Sequence, residues 1–198
     1  SGLNPSETIR IILGSEPPTL DWTKASDTTS SKVTENLMQG LVKFDLKDPN
    51  LKTIPALAEK WTASNNAKTW TFDLKKGVKW TDGVELTPQH VVDGFKRLLN
   101  PATASAYAYF LYPVKNAKAL SEGKMTDFSK LGINVNSKGQ LVIDLESSMS
   151  YFPMLLTHSS TFPVRLDVIK KHGDKWTEPG NIVTLDLICD AFAIALRN

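Results

Sequence analysis

The side chains with most chemistry to offer are three histidines, His90, His158 and His172, and a run of aromatics, Tyr107, Tyr109, Phe110 and Tyr112. Imidazoles bind metals or move protons, but a metal needs donors that converge. These three lie far apart and lack the paired or Glu-flanked spacing of a ligand set, so no metal site is expected. No Gly-x-Ser-x-Gly, Walker loop or dinucleotide fingerprint occurs, and the serines and carboxylates form no catalytic constellation. The chain does not read as an enzyme, and no cofactor is implied. Tyrosine has a flat apolar body and a polar tip, which suits the wall of a ligand groove as well as packing against a helix. Both readings stand for Tyr107, whereas Tyr109 and Tyr112 read as packing residues. The single cysteine, Cys189, excludes an intrachain disulfide framework and a cysteine-rich zinc site.

The elements that must position these groups follow from local patterns. Trp70, Phe72 and Leu74 alternate with Thr71 and Asp73, the period of a half-buried strand. With Glu59–Ala63 and the polar loop 64–68 they form a hairpin. Asp82-Gly83 marks a turn. Thr87-Pro88 then reads as the N-cap and first residue of a helix, with the Thr87 hydroxyl accepting a free backbone N–H. Val91, Val92, Phe95, Leu98 and Leu99 give that helix an apolar face of roughly three turns. Ser30 or Ser31 is expected to cap an earlier helix ending near Gln39, and Leu41–Asp45 to form a strand. Thr8–Ile12 suits another strand. A second hairpin joins Ile133–Val135 to Leu141–Leu145, and short helices are expected over 104–111, 114–120, 149–157 and 164–171. Trp61, Trp70 and Trp80 read as the core of one subdomain, while Trp22 is free to pack or to face a cleft.

At 198 residues the chain holds one large or two small domains. Its 23 basic and 21 acidic residues are interspersed, net +2, which is no footprint of a nucleic-acid binder. The apolar-rich run 182–196 is too short and too charged to span a bilayer. Ser1-Gly2-Leu3-Asn4-Pro5 lacks the basic start and apolar run of a signal peptide. Helices mixed with antiparallel hairpins, without regular βαβ alternation, indicate a mixed α+β or α/β fold.

The block from Thr69 through Leu98, strand, Asp-Gly turn and Thr-Pro-capped helix, resembles the signature of the family 5 extracellular solute-binding proteins that serve peptide importers. Gly14–Asp21, Leu37–Leu41, Pro55–Trp61, Asn100–Tyr107 and Lys175–Thr184 resemble further segments of that family, in order, and the last two point to its oligopeptide-binding branch. The resemblance implies the first lobe of a periplasmic-binding-protein fold, with a discontinuous core domain over 1–45 and 163–198 and an inserted subdomain over 46–162. It also implies a peptide-binding component of an ABC importer, periplasmic or otherwise extracytoplasmic, in a processed form. A lipid anchor outside this chain would be compatible with it. The expected partners are short peptides and a membrane permease. By position, Ser26, Asp27 and Thr28 correspond to the family's segment that pairs its backbone with an extended peptide. Tyr107 corresponds to a cleft tyrosine and His158 to a histidine at the cleft edge. For that loop an ordinary solvated segment is the alternative, and for His158 a satisfied interdomain histidine.

After Thr184 the family pattern gives way to Leu185–Asn198, which reads as a frameshifted or altered tail, with a genuine short paralogue as the alternative. The lobe carrying the acid that holds the peptide's α-amino group would then be missing. Weak or no peptide binding by this chain alone is the expectation. The alternative is an interaction module that docks or self-associates through the uncovered surface.

Overall fold

The computed structural model describes residues 13–185. The strand expected over Thr8–Ile12, Cys189 and most of the apolar run at 182–196 lie outside that range.

Helix α1 (Thr28–Leu37) begins at Asp27, whose Oδ1 accepts the Ser30 N–H at 2.8 Å. The cap is therefore earlier than the serines expected for it. An aspartate in extended backbone satisfies the first-turn donor, and Ser30 and Ser31 become helical residues. Strands β1 (Val42–Phe44) and β2 (Thr53–Pro55) pair antiparallel. A four-stranded antiparallel sheet follows in the order β3-β4-β6-β5, from β3 (Ala58–Ser64), β4 (Thr69–Leu74), β5 (Ile133–Val135) and β6 (Leu141–Asp144). Both expected hairpins are present, and β4 pairs with β6 to join them, Thr69 opposite Asp144 and Phe72 opposite Leu141. The first hairpin turns through Asn65 and Asn66 in left-handed conformation, which asparagine tolerates better than most residues.

Along β4 the buried residues are Trp70 and Phe72, as alternation requires. Helix α2 (Pro88–Leu99) buries Val91, Val92, Phe95, Leu98 and Leu99, and these share one core with β4, β6 and Phe152 of α4 (Phe152–Leu155). Short helices α3 (Ala117–Ser121) and α5 (Leu166–His172) and several 3₁₀ turns complete the fold.

A second core gathers Trp22, Met38, Leu57, Val78, Trp80, Leu86, Val164 and Trp176. Trp80, expected beside Trp61 and Trp70, belongs here instead. The Asp82-Gly83 turn folds its strand back through the Trp80 N–H to Val84 carbonyl bond at 2.8 Å and carries Trp80 away from the sheet. Gly83 supplies the positive φ of 85° that this turn needs. The boundaries expected at 45/46 and 162/163 would divide this second core, with Leu57, Val78, Trp80 and Leu86 on one side and Trp22, Met38, Val164 and Trp176 on the other.

The start of α2 is closed from the helix side. His90 Nδ1 accepts the Thr87 backbone N–H at 3.1 Å and the Trp80 indole N–H at 3.3 Å. His90 thus takes the place that Glu or Gln fills in a capping box, opposite the Thr87 side chain expected at this N-cap. Both donors can only donate, so Nδ1 is unprotonated. Desolvation first, then the nearby Arg165 cation, holds the His90 pKa below its ordinary value, against the weaker pull of Asp93, Asp167 and Asp82.

A histidine that refuses a proton in the folded state gives full stability above its unfolded pKa and loses it as pH falls from there toward the folded pKa. Stability is therefore expected to decline below about pH 6.5, by no more than about 1.4 kcal/mol per pH unit for this group. Urea titrations at pH 7 and pH 5 check it. His90→Gln keeps an acceptor without titrating, and should remove this share of the decline. An identical decline in that variant would exclude His90 as its source.

Candidate ligand-binding site

The Ser26-Asp27-Thr28 loop, Tyr107 and His158 come together. Tyr107 precedes the 3₁₀ turn Ala108–Leu111, and His158 caps the 3₁₀ turn Ser159–Thr161. The Tyr107 hydroxyl donates to the Ser26 carbonyl at 3.3 Å. Its ring meets the His158 imidazole edge-on, centroids 4.6 Å apart. On the other side His158 stacks on Phe110 at 4.3 Å and 22°. Phe110 stacks in turn on Tyr109 at 4.8 Å.

Each member has definite chemistry to offer. His158 Nδ1 accepts the Ser160 backbone N–H at 3.2 Å and lies 2.8 Å from the Ser160 hydroxyl. Because a backbone N–H only donates, the imidazole proton sits on Nε2. Burial pushes the His158 pKa down, so the ring is neutral near pH 7. The site thus holds a neutral N–H donor between aromatic faces. Hydrogen bonding by Ser30 holds the Asp27 carboxyl below the usual carboxylate range. One oxygen of that carboxylate is committed to the α1 cap. Ser26 and Thr28 are exposed, and among the described residues the Ser26 N–H has no hydrogen-bond partner. The loop therefore presents backbone groups rather than a specific side chain.

Two expectations for individual aromatics change. Tyr109, read as a packing residue, is 52% exposed and continues the aromatic face. Trp22 packs rather than facing a cleft, 1% exposed and edge-on to Trp176 at 4.8 Å. Phe110 is legible as part of the aromatic run but not as the platform for His158. Nor does sequence spacing single out Asp21 and Arg97, which pair behind the loop. A cleft of about 310 Å³ near Trp61, Tyr151 and Met154 shares no residue with this cluster. It opens on the far hairpin, and its one charged lining residue is Lys52.

Among the described residues no helix is long and apolar enough to cross a membrane. Residues 52–186 match the family described as "Bacterial extracellular solute-binding proteins, family 5 Middle". The chain is 38% identical over 173 residues to the periplasmic oligopeptide-binding protein OppA of Escherichia coli, covering 86% of this chain and 31% of that protein. It is 35% identical over 183 residues to the probable deoxycholate-binding periplasmic protein YgiS of the same organism, 91% of this chain and 34% of that one. Among solved structures, Haemophilus influenzae OppA in complex with RPPGFSPFR superposes with a TM-score of 0.82 at 34% identity, over 92% of this chain and 35% of that one. The unliganded open form of the murein tripeptide-binding protein MppA superposes with a TM-score of 0.78 at 34% identity, over 85% and 32%. The chain spans about a third of the length of these relatives. Its mixed α/β fold is that of periplasmic peptide-binding proteins over this portion. With the family match running over more than half of its residues, the chain belongs to the family 5 bacterial extracellular solute-binding proteins.

Proposed function

We propose that these residues form one wall of the peptide site of an ABC importer's extracytoplasmic binding component, which hands short peptides to a membrane permease and performs no catalysis. The observation that carries this is the Tyr107 hydroxyl bond to the Ser26 carbonyl, which sets an exposed stretch of backbone beside an aromatic face. An extended peptide bonds through its main chain to such a loop, as an added strand would. The His158 Nε2–H is a donor for a peptide carbonyl, and Tyr107 and the exposed Tyr109 offer apolar ring surface to a side chain, with Phe110 stacked between Tyr109 and His158.

A single wall is a weak site. A micromolar ligand corresponds to about −8 kcal/mol, and half of the contacts would leave about −4 kcal/mol, near millimolar. The isolated 198-residue chain is therefore expected to bind a tripeptide with a Kd on the order of millimolar. Peptide titration followed by amide NMR should move the resonances of Ser26, Asp27 and Thr28. Tyr107→Ala should weaken that response about tenfold or more while leaving the urea midpoint nearly unchanged, since the ring is only half-buried. A response centred elsewhere, none at all at 10 mM (about ten times that Kd), or micromolar affinity would each overturn the reading. Deoxycholate titrated in parallel tests whether a sterol carboxylate displaces peptides as ligand.

A further inference from the structure

We infer that Asp21 and Arg97 are positioning residues that hold the Ser26–Thr28 backbone in register with Tyr107; this rests on the peptide-site reading above. Arg97 of α2 meets Asp21 through two parallel bonds, Nη1 to Oδ1 at 2.8 Å and Nη2 to Oδ2 at 2.6 Å. Both side chains are nearly out of water, 12% and 7% exposed. The pair joins the two stretches of chain that make the site. The turn at 21–25 leads directly into Ser26, and α2 leads through Asn100 into the segment that carries Tyr107.

Asp21 organises its own turn with every polar group it has. Oδ1 also accepts the Thr23 N–H at 3.2 Å and the Thr23 hydroxyl at 2.7 Å. Its carbonyl accepts the Lys24 and Ala25 N–H groups at 2.9 and 2.8 Å, and its own N–H donates to Thr19 Oγ1 at 3.0 Å. The guanidinium lies 5.8 Å from the Trp176 ring centre, and Trp176 packs edge-on against Trp22 of the same turn. The turn is thereby fixed both by charge and by ring packing.

Stability alone does not account for such a pair. A buried ion pair exchanged for apolar residues of similar size often leaves stability unchanged or raised, because desolvating the charges offsets their attraction. What the planar fork supplies is direction, since two parallel bonds fix both distance and orientation where one contact fixes neither. A shift of the 21–25 turn would displace the Ser26 carbonyl from the Tyr107 hydroxyl, already at 3.3 Å.

The test compares the intact chain with the double variant Asp21→Leu/Arg97→Met and the single variant Arg97→Lys. In the double variant the urea midpoint is expected to fall modestly, because the buried Thr23 N–H and hydroxyl lose Oδ1 as their acceptor. Backbone ¹⁵N order parameters should drop locally, at Ser26, Asp27 and Thr28, from about 0.85 to below about 0.6. Contacts between the Tyr107 ring and Ser26 in NOE spectra should disappear, and the tripeptide response should fall about tenfold. Arg97→Lys keeps the charge but not the fork, and an intermediate loss is expected; the same measurements on this variant decide the question should the double variant fail to fold. Order parameters unchanged at the loop, or lowered to the same degree throughout the chain, would overturn the positioning role. The order parameters need no ligand. A loosened loop in a chain that answers to no peptide would therefore uphold the clamp and sink the peptide-site reading.

Discussion

Trp80→Ala is expected to cost about 3–5 kcal/mol of unfolding free energy, a large share of the roughly 5–15 kcal/mol typical of a domain. Trp80 is 0% exposed and lies in the second core between chain segments distant in sequence. Its indole N–H bonds His90 Nδ1 at 3.3 Å, and the Arg165 guanidinium lies 5.8 Å from its ring centre. That guanidinium also holds Asp82 and Asp167, at 2.8 and 2.6 Å. Truncation would open a cavity and leave the His90 acceptor one donor short. It would also strip one face from a cation that is 6% exposed. Urea denaturation followed by far-UV circular dichroism measures the loss without relying on tryptophan fluorescence. Trp80→Phe, which keeps a ring but no N–H, should fall between the two. A loss under about 1 kcal/mol for Trp80→Ala, within the range of ordinary surface substitutions, would show that the second core is not held by this residue.

Gly94→Ala sets two effects against each other. In an exposed helix interior alanine is better than glycine by about 1 kcal/mol. Gly94 is not exposed: a Cβ there would stand 2.7 Å from the Phe162 carbonyl oxygen and 3.4 Å from Pro163 Cα. The obstacle is backbone, which cannot swing aside as a side-chain end would. Forcing extra atoms into a packed contact costs about 1–3 kcal/mol, occasionally more, so the clash outweighs the propensity gain. We expect a net destabilisation of about 1–2 kcal/mol, read as a lower urea midpoint with an unchanged slope. A raised midpoint would mean that α2 can move off the Phe162–Pro163 segment at little cost.

The parts of the fold legible in the sequence are those whose causes are local. The face of α2 repeats at helical spacing, β4 alternates over consecutive residues, and Asp82-Gly83 and the 136–139 loop are turns on composition alone. Sequence misleads where a residue's partner is remote. Trp80 looks like one more tryptophan beside Trp61 and Trp70, since nothing nearby records that Met38 and Trp176 share its core. His90 carries no sequence mark of a capping residue, because that role is usually filled by Glu or Gln. At α1 the competition is between neighbours. Ser30, Ser31 and Asp27 are all eligible caps, and only the backbone conformation at Asp27 decides among them. For the candidate site, residue types alone leave Tyr107 open, and resemblance supplies Ser26–Thr28 and His158. The geometry adds the bond from Tyr107 to Ser26, across 81 positions, and the Asp21–Arg97 pair, across 76. No single-sequence pattern reaches so far.

The strand order β3-β4-β6-β5 also governs when the sheet can form. Each hairpin closes over a short loop, an event of microseconds. The central seam between β4 and β6 must wait until the chain from Leu74 to Leu141, with α2 inside it, has been drawn together against its loop-closure entropy. Before that moment β4 and β6 each carry an open edge and an unburied apolar face, the condition in which strands pair with the wrong chain. The same pairing that centres the finished sheet is thus its last seam in refolding, and the interval before it closes is when this protein is most exposed to aggregation.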